Sequence, residues 1–384
     1  MIEAKNIPSP CYVVEERLLR RNLALIKSVA QKANVEIILA FKAFAMWKIF
    51  PVMREYIAKS TASSLSEAYL AFEKMSSKAH TCSPVYQENE FDKIAEMSSH
   101  ITFNSLAQFE KYFPQTQKYG ISCGLRINPE ISIVKTDLYN PAKMGSRLGI
   151  VAENLPETLP EGIEGLHFHV LCENSSYDLE KVLTVVEQKF DSQLRQAKWL
   201  NMGGGHLITK ADYDTEHLIL LLKNFKQRYP NLHIILEPGS AFTWQTGFLL
   251  ATVEDIVENH RIKTAIVNVS FACHMPDCLE MPYQPEIRGA KIAKEIAGQT
   301  RNDKCIYRIG GNSCLSGDYV GDWIFPEPLK AGDKIIFEDM IHYTTVKTTV
   351  FNGVSHPSIG IIRVDGGFEL LKKFSYQDYK NRMC

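Results

Sequence analysis

Glu36-Ile-Ile-Leu-Ala-Phe-Lys42 is the stretch whose reading decides the fold. Five of the six residues ahead of the lysine are apolar or small, strand formers dominate, and a helix-like pattern precedes them. The segment therefore reads as a buried strand of a parallel sheet. Lys42 stands at its carboxyl end, where α/β barrels place their reactive groups. An apolar wall penalises the charged ammonium, lowers its pKa and frees the amine to attack a carbonyl, which makes Lys42 a candidate Schiff-base lysine. The plainer alternative is a lysine that snorkels from a strand end to water.

Working outward, the chain opens with the extended segment Ser9-Pro-Cys-Tyr-Val-Val14, and an amphipathic helix then runs to about Lys32 with Leu18, Leu19, Leu23, Ile26 and Val29 on one face. After Lys42, short apolar segments recur at 60–63, 79–83, 100–103, 121–128, 165–170, 199–202 and 233–237. With the first they make eight, each separated from the next by enough chain for a helix, the mark of parallel crossovers. Eight such units close into a (β/α)8 TIM-like barrel, placed at residues 15–250. From about Gly247 the pattern changes to alternating strands with turn signals, such as Thr264-Ala-Ile-Val-Asn-Val269 and Lys334-Ile-Ile-Phe-Glu338. This predicts a C-terminal all-β domain, a barrel or sandwich over 251–384, joined by the N-terminal strand in 1–14.

Composition narrows the function. The 384 residues are 45% hydrophobic, enough for a large core, and 43 basic against 44 acidic residues leave no global field to attract nucleic acid or a membrane surface. A small-molecule partner is expected. The nine cysteines are odd in number and contain no Cys-x-x-Cys pair, so neither a disulfide framework nor a zinc ribbon is indicated, and they read as reduced thiols of a cytoplasmic protein. The amino terminus shows no basic region followed by an apolar run, and no apolar stretch is long enough to span a bilayer.

Polar residues gather at the carboxyl ends of the strands: Lys42, 61–64, Asn104, Arg126 with Asn128, His167 and His169, Gly203-Gly204-Gly205-His206, and Glu237-Pro-Gly239. That distribution describes a site at the barrel mouth. The triple glycine lets backbone N–H groups approach a phosphate, with a helix start behind it adding its positive end, although a tight turn explains it equally well. Glu237 offers a carboxylate to a protonated ring nitrogen, or is simply a cap or surface acid. His169 shares a strand face with His167 and could stack on a cofactor ring, or be a hydrogen-bonded core residue. In the second domain, Gly310-Gly-Asn-Ser-Cys314-Leu-Ser-Gly-Asp318 presents a thiol and a carboxylate on a glycine-rich loop, and the Tyr343 hydroxyl follows a predicted strand.

Lysine on the first barrel strand, histidine on the sixth, Gly-Gly-Gly after the seventh, Glu-Pro-Gly after the eighth, then Gly-x-x-Cys-x-x-x-Asp and Tyr343 with Phe351-Asn-Gly, resemble the fold-type III pyridoxal-phosphate decarboxylases over nearly the whole chain. Within that group, Leu39-Ala-Phe-Lys42-Ala-Phe, His167-Phe-His-Val-Leu-Cys-Glu173-Asn, Glu237-Pro-Gly-Ser-Ala and Phe271-Ala-Cys-His274-Met-Pro-Asp277 are most similar to the carboxynorspermidine/carboxyspermidine decarboxylases of polyamine synthesis. The resemblance implies that Lys42 holds pyridoxal 5'-phosphate covalently and that Glu237 keeps its pyridine nitrogen protonated. It also implies that His169 stacks on the ring, that Gly203, Gly204, Gly205, Gly239 and Tyr343 bind around the phosphate, and that Arg126 lies near the cofactor. Cys314 and Asp318 would reach into the site of a partner subunit across a homodimer interface, with Cys314 the proton donor. Phe41 or Phe44 would give the departing carboxylate an apolar face.

The chain departs from the ornithine branch of that group at two points. Ser240 stands where an arginine is expected, so a backbone N–H of Ser240 or Ala241 must serve the phosphate. Leu315 follows Cys314 where an aspartate is expected, which argues against ornithine. Glu173, His274, Asp277 and Asp318, together with Glu237, are the candidates for a longer polyamine. Other readings are a decarboxylase of diaminopimelate or another basic amino acid, a non-catalytic pyridoxal-phosphate carrier, and a zinc hydrolase using His167, His169, Cys172 and His206.

Overall fold

The computed structural model describes residues 6–134, 136–293 and 305–384. The chain forms two compact units, Arg20–Phe242 and Met1–Leu19 with Thr243–Cys384. The division falls at Phe242 rather than at 250 because the long strand Gly247–Asn259 pairs with Cys11–Glu15 and with Lys334–Glu338, which ties it to the sheet unit.

In the first unit, parallel strands run in the order Glu36–Ile37, His233–Leu236, Trp199–Asn201, Ile163–His167, Ser122–Asn128, Ser98–Phe103, Ala79–Cys82, Ser60–Ala62, Leu39–Ala40. The two ends of that order are halves of the stretch read first. Ile37 pairs with Leu236 on one side while Ala40 pairs with Thr61 on the other, and the Ile38 N–H bridges to the Leu236 carbonyl at 2.9 Å. One strand, broken at Ile38, thus closes an eight-stranded barrel. Helix Glu16–Ala33 buries Leu19, Leu23, Ile26 and Val29, as its period predicts, with Leu18 only half-buried.

The crossovers are less regular than the spacing predicts. Between Ser122–Asn128 and Ile163–His167 stand only the 3-10 turns Asp137–Tyr139 and Ala152–Asn154 and the short strand Ile150–Val151. Pro129, Pro141, Pro156 and Pro160 lie in that connection, and each removes an N–H that a helix interior requires.

The barrel interior is layered by the two-residue period of its strands. Trp199 packs with Ile38 and Ile235 in the lower layer and donates its indole N–H to Ser122 Oγ at 2.8 Å. A Cβ at Gly165 would run into the Trp199 ring, so the glycine makes room for the indole. Two residues further along these strands, and therefore one layer nearer the mouth, come Arg126, His167 and Asn201; Arg126 pairs with His167 and His167 with Asn201 in register.

The sheet unit is a nine-stranded mixed sheet in which Cys11–Glu15 lies between Gly247–Asn259, antiparallel, and Ser358–Ile362, parallel. Of the expected 1–14 segment, residues 1–5 lie outside the described residues. Ile7, Cys11, Val13, Phe248 and Leu250 form a core cluster against Ile336, Ile362 and Phe368. Each such side chain, fully buried, contributes about 1.5–3 kcal/mol. Short helices Phe271–His274, Pro276–Glu280, Thr344–Lys347 and Tyr376–Met383 accompany this sheet. No helix among the described residues is long and apolar enough to cross a membrane.

Candidate active site

Lys42 follows the strand Leu39–Ala40 in a turn closed by Ala43 N–H to the Ala40 carbonyl at 3.1 Å and Phe44 N–H to the Phe41 carbonyl at 3.0 Å. Phe41 and Phe44 are fully buried, and Phe41 stacks on Phe50 with ring centroids 5.1 Å apart. They anchor the turn and present no face to a substrate, which corrects the expectation that they shield a carboxylate. Lys42 is left as the side chain that projects, accessible to solvent yet ringed by protein. Desolvation pushes its pKa down and the Arg126 guanidinium adds to the effect, while Glu237 opposes it.

The amine faces His169, with Nζ 3.2 Å from Nε2. His169 Nδ1 accepts the Gly204 N–H at 2.8 Å. A backbone amide can only donate, so a neutral His169 carries its proton on Nε2 and donates it towards the lone pair of an unprotonated Lys42. Burial, then Lys42 and Arg126, holds the His169 pKa well below its ordinary value, which keeps the ring neutral. The lysine and the histidine thus favour each other's uncharged forms.

Glu237 ends the strand His233–Leu236 with its carboxylate held from two sides. Oε2 accepts from Asn201 Nδ2 at 3.1 Å, and Oε1 lies 3.2 Å from His167 Nε2, an ion-pair contact off the N–H direction. Asn201 Oδ1 in turn accepts the Gly203 N–H at 2.8 Å, so one amide side chain links the acid to the glycine run. Burial raises the Glu237 pKa, but His167, Lys42 and Asn201 outweigh it and bring the value to about 2. His167 moves to about 9: desolvation works against the charge, and Cys82 and Glu237 overcome it.

The glycines are needed for space. A Cβ at Gly203 would stand 2.5 Å from the Phe168 carbonyl oxygen, one at Gly204 2.5 Å from the Glu237 carbonyl oxygen, and one at Gly205 against the Leu171 carbonyl; Gly203 and Gly205 also adopt φ of +71° and +86°. Two of the three N–H groups, those of Gly203 and Gly204, already bind Asn201 and His169. The expected helix start behind the run is absent: a turn region fills 206–214 and the helix begins at Thr215. Its dipole therefore does not act at these glycines, since that effect is confined to the first turn. Gly239 packs against the Lys42 turn, its Cα hydrogen facing Ala43 Cβ. Arg126 is buried, with Nη2 3.4 Å from the His169 carbonyl. Glu173 is exposed at φ +54° beside the glycine run, where Asn174 N–H reaches the Gly205 carbonyl at 2.9 Å.

Two residues here were not singled out from sequence. Asn201 could have been found as the one polar residue ending the apolar strand Trp199–Asn201. Glu67 sits in the capping signature Ser64-Leu-Ser-Glu67: its N–H donates to Ser64 Oγ at 3.3 Å while Oε2 accepts the Ser63 N–H at 2.7 Å. Burial raises the Glu67 pKa, and the charge of Lys42 pulls the other way.

In the sheet unit, the two predicted loops meet. Cys314 is exposed, and its N–H donates to Asn352 Oδ1 at 2.8 Å. Tyr343 is half-buried with φ +45° and ψ −55° at the start of Thr344–Lys347. Three expected substrate acids or bases have other tasks. Asp318 is buried, and its two oxygens accept Ser270 Oγ (3.1 Å), Ala272 N–H (3.0 Å), Ser313 N–H (3.1 Å) and Ser313 Oγ (2.7 Å). Four donors fill a carboxylate, so Asp318 organises the loop that bears Cys314. His274 is wholly buried with Nδ1 accepting the Ser270 N–H at 3.1 Å, and burial brings its pKa to about 4. Asp277 Oδ1 pairs with Lys347 Nζ at 2.5 Å, and the same ammonium contacts Glu280.

The zinc alternative finds no ligand set: among the described residues no three His, Cys, Asp or Glu side chains are grouped to hold a metal, and His167 and His169 turn to different partners.

A family model for the pyridoxal-dependent decarboxylase C-terminal sheet domain matches residues 11–341. The chain is 50% identical, over 98% of its length and 96% of the relative's, to the carboxyaminopropylagmatine decarboxylase of Synechocystis sp.. It is 44% identical, over 98% of its length and 99% of the relative's, to the carboxynorspermidine/carboxyspermidine decarboxylase of Campylobacter jejuni. Among solved structures, carboxynorspermidine decarboxylase from Campylobacter jejuni in complex with norspermidine superposes with a TM-score of 0.91 at 43% identity, covering 98% of this chain and 100% of that one.

Proposed function

Because this chain belongs to the pyridoxal-dependent decarboxylases, a premise its match over residues 11–341 supplies, we propose that it removes CO2 from carboxynorspermidine and carboxyspermidine. The observation that carries the chemistry is the pairing, within one barrel mouth, of an amine held towards its neutral form with a buried carboxylate held ionised. The near-full-length likeness to the Campylobacter enzyme supports the substrate. A guanidine-ended substrate, carboxyaminopropylagmatine, is favoured by the 50% identity to the Synechocystis enzyme and is the second reading.

The donor set fits pyridoxal phosphate. Lys42 supplies the nucleophilic amine, Glu237 a counter-charge for a ring nitrogen, and His169 a neutral flat ring, while the glycines 203–205 leave no side chain between them and the Phe168 and Leu171 backbone. Pyridoxal phosphate, when bound, supplies the electron-accepting ring that takes up the pair released as CO2 departs. Lys42 holds the cofactor and yields it to the substrate amine, and its depressed pKa keeps a lone pair available for both. Glu237 keeps the ring nitrogen positive without taking its proton. Arg126 adds positive potential beside Lys42. Tyr343 and the N–H groups at 205 and 240 serve the phosphate. Cys314 Sγ delivers the proton to the carbon that CO2 leaves.

We also propose a homodimer in which Cys314 completes the site of a second copy. The exposure of Cys314 with its neighbour Leu315 (43%) and with Phe351 (52%) supports this, because an apolar surface around a reactive thiol is suited to being covered. Nine free thiols support a reducing, cytoplasmic setting.

The test is CO2 release from carboxynorspermidine, carboxyspermidine, carboxyaminopropylagmatine and diaminopimelate at equal concentration, with Lys42→Ala as control. The first two turning over fastest supports the proposal, carboxyaminopropylagmatine fastest selects the second reading, and diaminopimelate fastest overturns both. Lys42→Ala is expected to lose the visible absorbance of the covalently held cofactor together with activity.

A further inference from the structure

His167 has no task in the mechanism above, yet it is buried to 2% exposure in the polar layer beneath the mouth. Its position follows from register. His167 and Asn201 are Cα partners on adjacent parallel strands, so their side chains leave the sheet side by side, and both arrive at Glu237, one at each oxygen. The His167 contact is 3.2 Å long but poorly aligned. An uncharged imidazole would gain little from such geometry and would forgo its hydration, a cost of about 1–3 kcal/mol. An imidazolium gains from the charge itself, which depends on distance far more than on angle. From the opposite side, Cys82, ending the strand Ala79–Cys82, is bound electrostatically to the same ring, and His167 and Arg126 draw the thiol pKa down against burial.

We propose that His167 is a positioning residue for Glu237: held as a cation between Cys82 and Glu237, it fixes the carboxylate and keeps it a permanent counter-charge that does not accept the proton of the group it faces. This rests on the proposed cofactor role of Glu237. The chemical logic is an alternation of charge, cationic His167, anionic Glu237, then a cationic ring nitrogen. With His167 neutral, Glu237 becomes more basic and competes for the proton on the ring nitrogen, and the electron sink weakens. The charged or titratable groups around this pair are Cys82, Arg126 on the neighbouring strand, His169 two residues on, and Lys42 and His206 beyond Glu237. Arg126 and Lys42 oppose a second cation, so the charge on His167 depends on Glu237 and Cys82 being present.

The experiment has two arms. In cofactor-free protein, histidine NMR across pH, with His167 assigned by its absence in His167→Gln, should show His167 titrating above the ordinary 6.5, near 9, and moving down in Glu237→Gln and in Cys82→Ser. Titration at or below 6.5 overturns the proposal, and this arm is independent of which substrate is used. In the cofactor-loaded enzyme, His167→Gln retains a donor at the Nε2 position and removes the charge. We expect kcat to fall about tenfold, the factor set by one pKa unit of lost interaction, with KM little changed. We also expect the visible absorbance of the cofactor to acquire a pH dependence between about 6 and 9 that the wild type lacks. If His167→Gln keeps wild-type kcat and a pH-independent spectrum, a neutral donor suffices and the inference fails. Should that variant not fold, Cys82→Ser carries the same spectral and NMR tests from the other side of the ring.

Discussion

Asp318 is the residue whose type suggests a substrate acid and whose surroundings assign it to the loop, and one substitution separates the two. Asp318→Asn keeps the shape and replaces one acceptor oxygen by an NH2 group. Each carboxylate oxygen receives one backbone N–H and one hydroxyl: Ala272 N–H with Ser270 Oγ, and Ser313 N–H with Ser313 Oγ. Whichever way the amide turns, it loses two of those bonds and sets a donor against a backbone N–H that cannot rotate away. Hydrogen bonds to a charged acceptor are worth about 1.5–3 kcal/mol each, and the hydroxyl can turn to accept, so the expected loss is about 3 kcal/mol. Urea unfolding reports the loss through Trp323, which lies in the strand Tyr319–Ile324 of the same unit. The alkylation rate of Cys314 should rise in parallel, because the Ser313 N–H preceding it is released. A variant with an unchanged urea midpoint and a KM for the carboxylated polyamine raised about tenfold, or about 1.4 kcal/mol of binding, would return Asp318 to substrate recognition and refute this reasoning.

Two further outcomes follow from the same geometry. Gly204→Ala places a methyl 2.5 Å from the Glu237 carbonyl oxygen and 3.4 Å from His169 Cε1, so a loss of about 1–3 kcal/mol in stability and a lower cofactor content per subunit are expected; wild-type values for both would show that the space is not required. Acid should destabilise the fold from about pH 6.5 downward, because burial holds His206 and His274 at about 4 while their unfolded forms take up protons near 6.5, on the order of 2 kcal/mol each at about pH 5. The loss levels off below about 4, when the folded protein also binds the protons, and urea midpoints that stay flat between pH 7 and 5 would contradict it. His167 has the opposite sign: its contribution is present below 6.5 and is lost as pH rises through about 9.

The barrel was legible because its information is local. Eight apolar segments with polar ends need only the period-two and period-3.6 patterns to be recognised, and Lys42, Arg126, His169 and Glu237 follow from standing just beyond those segments. What the pattern omits is direction and closure. The sequence shows a carboxylate at Asp318 and an imidazole at His274, but whether either faces solvent depends on donors from Ser270 and Ala272, more than forty residues from Asp318, arriving at the same place. The expected helix behind the triple glycine failed for the opposite reason: a glycine run marks either a phosphate loop or a close backbone approach, and here the carbonyls of Phe168, Leu171 and Glu237 impose the second. Asn201 was missed because a single amide at a strand end has no signature of its own, and its importance comes from having Glu237 on one side and Gly203 on the other.

The layering of the barrel shows why the site can be stiff although it is assembled from loops. Gly165, His167 and His169 follow one another at two-residue steps, as do Trp199 and Asn201 on the adjacent segment. The Trp199 indole lies over Gly165 and is tied to Ser122, so two neighbouring strands are locked one layer below the point where His167 and Asn201 take hold of Glu237. His169 leaves the next layer up to reach Lys42, and Gly204 fixes its ring from behind. Side chains at three successive depths are therefore set by one strand pairing, and a shift of a single residue in that register would turn all of them away from the mouth together. Catalytic groups gain precision when rigid elements carry them and neighbouring hydrogen bonds lock them. In this barrel the carboxylate and the amine inherit theirs from an indole packed against a glycine, two layers down.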